Sequence, residues 1–425
     1  MALDKMRIVG GNRLQGEILT SGSKNAALPL LAMTLLTRDP CELTAVPDLL
    51  DIQNMIKILR ILGVDLTFLN HTVNAQTIKL NQVEAPYDFV RKMRASVLLL
   101  GPLLAKCGFA RVSMPGGCAI GVRPINLHLK AFEALGAEIE LKEGYVEAKA
   151  SRLKGAEHTF ESVTVTGTIN ALMAASLAVG ESVFHNCAQE PEVFLTGEVL
   201  SKMGATVDGA GTKTIRIRGR NELKGFRADM IPDRIEAGTY LVASAITEGE
   251  LFLRGANAEH LGAVIQKLRD CGAEIVEDVS GIFVKGKKLI LPLEIQTAPF
   301  PGFPTDMQAQ FMVLLSLARG RSLVHETIFE NRFMHVAELI RMGADLKIKG
   351  PEVTIEGVQK LKGAPVMATD LRASASLVLA GLVSEGVTEV SRIYHLDRGY
   401  ERMETKLASV GADIVRIMNQ PEVEK

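Results

Sequence analysis

The chain has 425 residues and a formal net charge of -1, from 48 Lys and Arg against 49 Asp and Glu. At roughly 150 residues per domain this length predicts two to three domains, and the balanced charge argues against nucleic acid or an anionic membrane as a partner. Hydrophobic residues make up 47% of the sequence and aromatic residues 5%, with no Trp. This composition predicts a folded chain with an aliphatic core and excludes extensive disorder.

Five cysteines stand far apart in the sequence, at positions 41, 107, 118, 187 and 271. Their odd number and the lack of a Cys-x-x-Cys pair argue against a disulfide framework or a zinc site and favour a reducing compartment. The N-terminal residues do not resemble a signal peptide, and the longest apolar runs, 26–36 and 95–105, are shorter than the roughly 20 residues of a membrane span. We therefore expect a soluble, cytoplasmic protein without a bound metal.

One short pattern occurs six times at nearly constant spacing. A helical stretch ends in Gly, and usually Ala, then a polar residue and a branched apolar residue follow. Successive glycines are 73, 68, 68, 71 and 68 residues apart. The pattern predicts an amphipathic helix that stops at a Gly cap and leads directly into a strand with alternating apolar residues, such as Ile215 and Ile217 or Val353 and Ile355. The glycines are Gly63, Gly136, Gly204, Gly272, Gly343 and Gly411.

A second, more apolar stretch precedes each copy and predicts a buried helix. The sequence thus predicts six repeats of helix, strand, helix, strand, with the apolar helix inside and the amphipathic helix outside. Only 14 residues follow Gly411, so we expect a strand from the N-terminus to complete the last repeat. The predicted buried helices are 26–36, 95–105, 171–179, 237–246, 309–318 and 373–383.

Six repeats divide most simply into two domains of three repeats each. Because the N-terminal strand belongs to the last repeat, we expect the chain to cross between domains near residues 229–233, midway along the sequence. The predicted domains are residues 23–231, and residues 1–22 together with 232–425.

Polar or charged residues open the apolar helices. Asn, Thr and Asp at such positions are explained by helix capping, but a cation there costs up to about 1 kcal/mol against the helix dipole. We expect an anion, either the neighbouring Asp370 or a bound phosphate, to offset this cost at the arginines. If the repeats are arranged symmetrically, these helix starts converge on an anion-binding cleft between the domains. They are Lys24, Asn25, Arg94, Thr168, Asn170, Glu236, Asp306 and Arg372.

Residues 115–124 contain three glycines and two prolines, which is typical of a loop. The thiol of Cys118, five residues before Arg123, is a candidate acid or nucleophile because a nearby cation lowers a thiol pKa; a small buried Cys is the alternative. We expect the other four cysteines to be buried. Common nucleotide-binding, metalloprotease and hydrolase motifs are missing from the sequence, so we expect chemistry based on Lys, Arg, Asp and one Cys.

Seven short phrases are spread over the whole chain. They are Ser-Lys-Asn-Ala-Ala at 23–27, Met-Arg-Ala-Ser at 93–96, the Pro-Gly-Gly-Cys loop at 115–124, Pro-Asp-Arg-Ile-Glu-Ala-Gly at 232–238, Phe-Pro-Thr-Asp-Met-Gln at 303–308, Glu-Asn-Arg-Phe-Met-His at 330–335 and Asp-Arg-Gly-Tyr-Glu at 397–401. Together they resemble the phrases of the enolpyruvyl transferases. The fold that this resemblance implies is α/β, with two inside-out domains of three repeated units and buried helices, in agreement with the six repeats.

The resemblance implies transfer of the enolpyruvyl group of phosphoenolpyruvate to the 3′-hydroxyl of UDP-N-acetylglucosamine. Phosphate would leave by addition and elimination, without a cofactor. This reaction is the first committed step of bacterial peptidoglycan synthesis, so a role in cell wall formation, cell shape and cell division is implied as well. The resemblance further implies alkylation of Cys118 by the inhibitor fosfomycin, and a pyruvate adduct.

The resemblance also implies roles for single residues. Cys118 would protonate the methylene carbon, and Asp306 would take the proton of the sugar hydroxyl. Lys24, Arg123 and Arg398 would hold phosphoenolpyruvate and stabilise the leaving phosphate. The implied substrate contacts are Lys24, Asn25, Arg94, Arg123, Pro124, Ile125, Asn126, Leu127, Asp306, Ile328, Arg332, Asp370 and Arg372.

One segment departs from the family pattern, because Ser162 stands where some members have a Lys that contributes to binding a diphosphate. Two alternative functions are disfavoured by the sequence. Enolpyruvyl transfer to shikimate 3-phosphate is disfavoured, because enzymes of that kind lack the Pro-Gly-Gly-Cys loop. A ring-like DNA clamp, which repeated α/β units also build, is disfavoured by the balanced charge and by the arginines at the buried helix starts.

Overall fold

Two compact units make up the chain in the computed structural model, which describes residues 4–85, 87, 93–114 and 125–418, without the side chain of Arg94. The mid-chain unit contains the described residues from 22 to 231, and the terminal unit contains residues 4–21 and 232–418. Each unit has its own aliphatic core.

Three inner helices lie in the interior of each unit and pack together. Their sequences are apolar on all sides, so almost every side chain is buried; in Leu371–Val383 only the first and last residues are not. The prediction of six buried helices is confirmed. The inner helices are Lys24–Met33, Leu100–Cys107 and Val165–Ala175 in the mid-chain unit, and Arg234–Ile246, Gln308–Ser316 and Leu371–Val383 in the terminal unit.

An outer, amphipathic helix follows each inner helix and ends near the repeated glycine. All six glycines have a left-handed backbone, with φ between 90° and 110°, which glycine adopts without the steric cost of a Cβ. The predicted glycine caps are confirmed. The outer helices are Leu50–Leu62, Asn126–Ala134, Pro191–Lys202, Gly262–Asp270, Met334–Arg341 and Met403–Ser409, and short 3₁₀ helices span Thr34–Leu36, Arg94–Leu99, Ala258–His260, Thr305–Met307 and Ile393–Arg398.

The described residues form six four-stranded sheets, three in each unit. Five of these sheets have the same order: an edge strand, the strand after the inner helix, and the second and then the first strand of a hairpin. The first two strands are parallel and the other neighbours antiparallel. In the mid-chain unit the sheets are Arg227–Asp229, Cys41–Thr44, Thr72–Gln76 and Asp65–Leu69; Glu84–Ala85, Phe109–Ser113, Tyr145–Lys149 and Glu138–Lys142; and Glu157–Thr159, Glu181–His185, Thr214–Arg218 and Thr206–Asp208.

The terminal unit repeats this order with help from the N-terminal segment. Lys5–Val9 pairs with strands on both sides and takes the place of a second hairpin strand, so the expected completion of the last repeat is confirmed. Gln15–Leu19 is the edge strand of the fourth repeat. The sheets are Gln15–Leu19, Glu250–Arg254, Gly281–Lys285 and Glu274–Asp278; Glu294–Gln296, Arg321–His325, Glu352–Glu356 and Asp345–Lys349; and Pro365–Met367, Val387–Ser391, Lys5–Val9 and Asp413–Ile417.

Two details of the sequence prediction are wrong. A hairpin rather than a single strand follows each of the first five repeated glycines, and the alternating apolar residues, such as Ile215 and Ile217, lie on its second strand, which is internal to the sheet. Cys107 is exposed, because it is the last residue of its helix before the Gly108 cap, whereas Cys41, Cys187 and Cys271 are buried as expected.

None of the helices within the described ranges has the length and apolar character needed to cross a membrane.

Candidate functional site

Asp306 lies between two arginines in the terminal unit. Its Oδ1 accepts a hydrogen bond from Nη2 of Arg332 at 2.6 Å, and its Oδ2 accepts one from Nη2 of Arg372 at 2.7 Å. The two arginine side chains are only 6% and 7% exposed, whereas the Asp306 side chain is 28% exposed. Two guanidiniums against one carboxylate leave a positive charge on this cluster, which suits an anionic ligand.

Three separate elements bring these residues together. Asp306 belongs to the 3₁₀ helix Thr305–Met307, directly before an inner helix. Arg372 is the second residue of the inner helix Leu371–Val383, and Arg332 stands two residues before an outer helix. Of the predicted site residues, these three are in direct contact.

Burial alone would raise the pKa of the Asp306 carboxyl, but the charges of Arg372 and Arg332 and their hydrogen bonds hold this pKa well below its usual value. Burial would likewise lower the pKa of Arg372, and Asp306 raises it instead. Asp306 is therefore ionised at neutral pH. It has the form that accepts a proton, although the two guanidiniums make it a weak base.

Asp370 caps the inner helix that contains Arg372. Its Oδ1 accepts hydrogen bonds from the backbone N–H groups of Arg372 and Ala373, at 2.9 and 3.1 Å, as an N-cap side chain does. The guanidinium of Arg372 pairs with Asp306. Asp370 thus supplies the expected anion at this helix start, but the guanidinium of Arg372 does not pair with it, because the long Arg372 side chain reaches Asp306 at another helix start.

Glu326 organises the chain around Arg332 and Ile328. It is 3% exposed; its Oε1 accepts a hydrogen bond from the backbone N–H of Ile328, and its Oε2 accepts one from the hydroxyl of Thr305, both at 2.8 Å. Thr305 in turn accepts a hydrogen bond from Nη1 of Arg332 at 2.8 Å. The side chain of Ile328 remains 37% exposed, so its backbone is held while its apolar surface faces solvent.

Lys24 is the first residue of its inner helix in the mid-chain unit. Its Nζ donates a hydrogen bond to Oδ2 of Asp51 at 2.9 Å, and the two side chains are only 10% and 3% exposed. Ser23 caps the helix by accepting a hydrogen bond from the backbone N–H of Ala26. The next predicted residue, Asn25, is half-buried. Lys24 is thus held by a carboxylate that the phrase around it does not contain.

The stretch Ile125, Asn126 and Leu127 begins the outer helix of the second repeat. Ile125 and Leu127 are buried, and Asn126 is exposed. The next residue, His128, is buried, and its Nε2 lies 3.2 Å from the hydroxyl of Thr166. This contact connects residues 125–127, which are among the implied substrate contacts, to the segment after Ser162 that departs from the family pattern.

Arg398 ends a 3₁₀ helix and is half-buried. The residue before it, Asp397, accepts two hydrogen bonds from the guanidinium of Arg416, at 3.0 and 2.5 Å. Burial and the charge of Arg398 lower the pKa of His395 in the same helix, so His395 is neutral at neutral pH. Because the guanidinium of Arg416 binds the Asp397 carboxylate through two hydrogen bonds, it fixes the backbone next to Arg398.

Cys118, Arg123 and Pro124 lie outside the described residues, as does the side chain of Arg94. Their implied roles rest on the sequence. Within the described ranges, no group of three or more His, Cys, Asp and Glu side chains is arranged to hold a metal ion.

Four residues that contact predicted residues were not expected from the sequence: Asp51, Thr305, Glu326 and Tyr400, whose hydroxyl accepts a hydrogen bond from Nη1 of Arg372 at 3.2 Å. Asp51 has a physical signal in the sequence, because it falls on the apolar face of its helix, next to Ile52. A carboxylate at such a position requires a partner. Thr305 and Tyr400 lie inside the family phrases at 303–308 and 397–401, but these phrases do not indicate which residues the two hydroxyl groups contact. Glu326 directly follows the strand Arg321–His325 and has no local signal.

Comparison with known proteins identifies the family. A family model described as EPSP synthase (3-phosphoshikimate 1-carboxyvinyltransferase) matches residues 8–407. The chain belongs to the enolpyruvyl transferase family. Curated relatives include the UDP-N-acetylglucosamine 1-carboxyvinyltransferases of Geobacter metallireducens, 55% identical, and Desulforapulum autotrophicum, 54% identical, each match covering 98% of this chain and 100% of the relative.

Solved structures of the family match the fold over nearly the whole chain. The enolpyruvyl transferase NikO from Streptomyces tendae superposes with a TM-score of 0.88 at 24% identity, covering 98% of this chain and 99% of NikO. EPSP synthase from Acinetobacter baumannii superposes with a TM-score of 0.75 at 19% identity, covering 98% and 100%. The predicted enolpyruvyl transferase fold is confirmed.

Proposed function

We propose that the chain transfers the enolpyruvyl group of phosphoenolpyruvate to the 3′-hydroxyl of UDP-N-acetylglucosamine and releases phosphate. The main support is the identity of 55% over 98% of the chain with a relative named for this transfer. The EPSP synthase structure that matches is 19% identical, so it supports the fold alone and gives no support to shikimate 3-phosphate as the acceptor.

In the addition step the sugar oxygen forms a bond to the central carbon of phosphoenolpyruvate. Asp306 takes the hydroxyl proton and Cys118 gives a proton to the methylene carbon, which becomes a methyl group. In the elimination step the carbon–oxygen bond to phosphate breaks, and the methyl group returns a proton to the thiolate of Cys118, which restores the double bond. Phosphate leaves with the proton that Asp306 took up. The ionised state of Asp306 at neutral pH supports the first of these roles.

Cationic side chains bind the anionic groups of the substrates in this proposal. Lys24, Arg123 and Arg398 hold phosphoenolpyruvate and stabilise the charge that develops on the leaving phosphate. Arg332 and Arg372 add positive charge around Asp306, and both are fixed by hydrogen bonds in the described structure. Asn25, Arg94, residues 123–127, Ile328 and Asp370 complete the proposed substrate contacts.

We further infer that the reaction takes place in the cytoplasm and serves peptidoglycan synthesis, cell shape and cell division. The four described cysteines are free thiols, which supports a reducing compartment. Residues 23–231, and residues 1–22 with 232–425, are the proposed domains. The thiol of Cys118 is the proposed site of fosfomycin alkylation, and the enzyme is proposed to form a pyruvate adduct.

Phosphate release from phosphoenolpyruvate tests the reaction. We expect release with UDP-N-acetylglucosamine as acceptor and none with shikimate 3-phosphate. Release with shikimate 3-phosphate alone, or with neither acceptor, would refute the proposal.

Fosfomycin pretreatment tests the thiol. We expect it to abolish turnover of the wild type, and we expect Cys118→Ala to be nearly inactive near neutral pH because the carbon loses its proton donor. The exposed Cys107 offers a matched control: Cys107→Ala should remain active and sensitive to fosfomycin. Full activity of Cys118→Ala would exclude Cys118 as the acid.

A further inference from the structure

Tyr400 is buried among the three inner helices of the terminal unit. Its hydroxyl oxygen lies 3.2 Å from Nη1 of Arg372, 3.3 Å from Nε2 of Gln310 and 2.9 Å from Oγ1 of Thr239. Thr239, Gln310 and Arg372 belong to three different inner helices. The exposure of Tyr400 is 1%, and that of Thr239 and Gln310 is 0%, so solvent does not reach these hydrogen bonds.

The chemistry of the partners fixes the direction of each hydrogen bond. The guanidinium of Arg372 and the amide nitrogen of Gln310 only donate, so the oxygen of Tyr400 accepts from both. The Thr239 hydroxyl donates its proton to the backbone carbonyl of Ile235 at 2.7 Å. Oγ1 of Thr239 therefore accepts from the Tyr400 hydroxyl, and the phenol is neutral with a single orientation.

We infer that Tyr400 is a positioning residue for Asp306. It holds Nη1 of Arg372, while Nη2 of the same group donates to Oδ2 of Asp306 at 2.7 Å. Because a guanidinium is planar and rigid, fixing one nitrogen fixes the direction of the other. Gln310 also donates to the backbone carbonyl of Asp306 at 3.0 Å, so one network holds both the main chain and the carboxylate.

This inference rests on the proposed function, in which Asp306 is the base. Tyr400 does not pass a proton to or from Asp306, because its own proton goes to Thr239 and the chain of donors ends at the carbonyl of Ile235. Its role is therefore geometric. Misplacing a reacting group lowers the rate of the chemical step more than it weakens substrate binding.

Steady-state kinetics of Tyr400→Phe test the role. We expect kcat for phosphate release to fall about tenfold to a hundredfold, with the KM of each substrate changed by less than about twofold. The matched control is Tyr240→Phe: Tyr240 is next to Thr239, is 0% exposed, and its hydroxyl makes no hydrogen bond to the described residues. We expect Tyr240→Phe to keep kcat within about twofold of the wild type.

Thr239→Val gives a second, graded test, since it removes the acceptor of the Tyr400 proton and leaves the hydrogen bond between Tyr400 and Arg372. We expect a smaller fall in kcat than for Tyr400→Phe. The double variant should be no slower than Tyr400→Phe alone, because residues of one network are not additive. Equal kcat in Tyr400→Phe and Tyr240→Phe, or a loss that lies entirely in KM, would overturn the inference.

Crystal structures of the wild type and Tyr400→Phe supply a readout that does not depend on activity. We expect the distance from Nη2 of Arg372 to Oδ2 of Asp306, 2.7 Å here, to lengthen beyond about 3.5 Å in the variant, the limit of a hydrogen bond. An unchanged distance would overturn the inference. A wild type without activity on UDP-N-acetylglucosamine would instead refute the proposed function, and the structural comparison would still decide the role of Tyr400.

Discussion

Asp306 and Glu236 stand at the starts of two inner helices of the terminal unit, but different groups balance their charges. Glu236 is 2% exposed and accepts hydrogen bonds from Nζ of Lys406 at 2.7 Å and from the backbone N–H of Ser21 at 2.6 Å. Asp306 keeps 28% exposure and is paired with two arginines. One carboxylate thus has a single cation and almost no solvent, and the other has two cations and some solvent.

The protonation equilibria differ in direction as a result. Burial raises the pKa of Glu236, and Lys406 only partly opposes it. At Asp306 the two guanidiniums outweigh burial and lower the pKa. A position at a helix start therefore does not decide the state of a carboxylate; the number of cations and the remaining exposure do. The lowered pKa of Asp306 keeps this carboxylate in the form that accepts a proton.

The largest predicted effect is a loss of kcat on replacing Asp306, which should not occur to the same extent on replacing Glu236. We expect Asp306→Asn to lower kcat about 10²- to 10⁴-fold, because the base is removed. Glu236→Gln should keep kcat within about tenfold of the wild type, since Glu236 is proposed to act only in the structure. Phosphate release at saturating substrates measures both, with circular dichroism as the check on folding. Comparable losses in the two variants would remove the functional distinction.

The second prediction concerns stability. Lys406→Met leaves Glu236 buried without its cation and should cost about 3–5 kcal/mol in the free energy of unfolding at neutral pH. The cost should shrink at lower pH, because Glu236 can take up a proton. The control is Lys5→Met, whose lysine is 43% exposed and 3.6 Å from Glu389; it should cost less than about 1 kcal/mol. Urea denaturation measures both, and equal costs would contradict the interpretation.

Much of the fold could be predicted because its signals are local. A left-handed helix end needs glycine at one position, so six glycines such as Gly136 and Gly343 mark the helix ends in the sequence. The hairpins were missed because their first strands lie at sheet edges and have few buried residues, as in Asp65–Leu69. Edge strands as short as Glu84–Ala85 have no periodicity to detect.

The site was predictable only as single residues. Family phrases contain Asp306 and Arg332, and Arg372 stands at a predicted helix start, but their pairing joins residues 26 and 66 positions apart. Sequence proximity favoured Asp370 as the partner of Arg372, and packing of the inner helices selected Asp306 instead. The contacts of Tyr400 have the same origin, because they exist only where three repeats meet.

A third prediction uses the pH dependence of stability. The pKa of Glu236 is raised in the folded state, so its contribution is complete below its ordinary value of 4.5 and is lost as pH rises through the raised pKa. The pKa of Asp306 is lowered, so its contribution is present above its ordinary value of 3.8 and is lost as pH falls through the lowered pKa. As pH changes, the two carboxylates should therefore shift the free energy of unfolding in opposite directions.

Denaturation of matched variants at several pH values separates the two terms. Stability relative to the wild type should shift in favour of Glu236→Gln as pH rises above 4.5. It should shift in favour of Asp306→Asn as pH falls below 3.8. If the stability of both variants relative to the wild type changes in the same direction as pH rises, the pKa values of Glu236 and Asp306 are not shifted in opposite directions.

A last pair of substitutions removes the hydroxyl groups beside the two carboxylates. Ser21 accepts a hydrogen bond from Nζ of Lys406 at 2.7 Å, and Lys406 keeps Glu236 as a partner when that hydroxyl is removed. Ser21→Ala should therefore cost only about 0.5–1.5 kcal/mol in the free energy of unfolding, the net value of one hydrogen bond, and leave kcat unchanged.

Thr305→Val removes a hydroxyl with two charged partners, since Thr305 accepts from Arg332 and donates to Glu326. Both partners are at most 5% exposed, and each buried polar group left unpaired costs about 1–3 kcal/mol. We therefore expect Thr305→Val to be more destabilising than Ser21→Ala and also to lower kcat, because Arg332 orients Asp306. If the two substitutions cost the same and kcat is retained, the hydrogen bond of Thr305 to Arg332 does not help to set the geometry of the base.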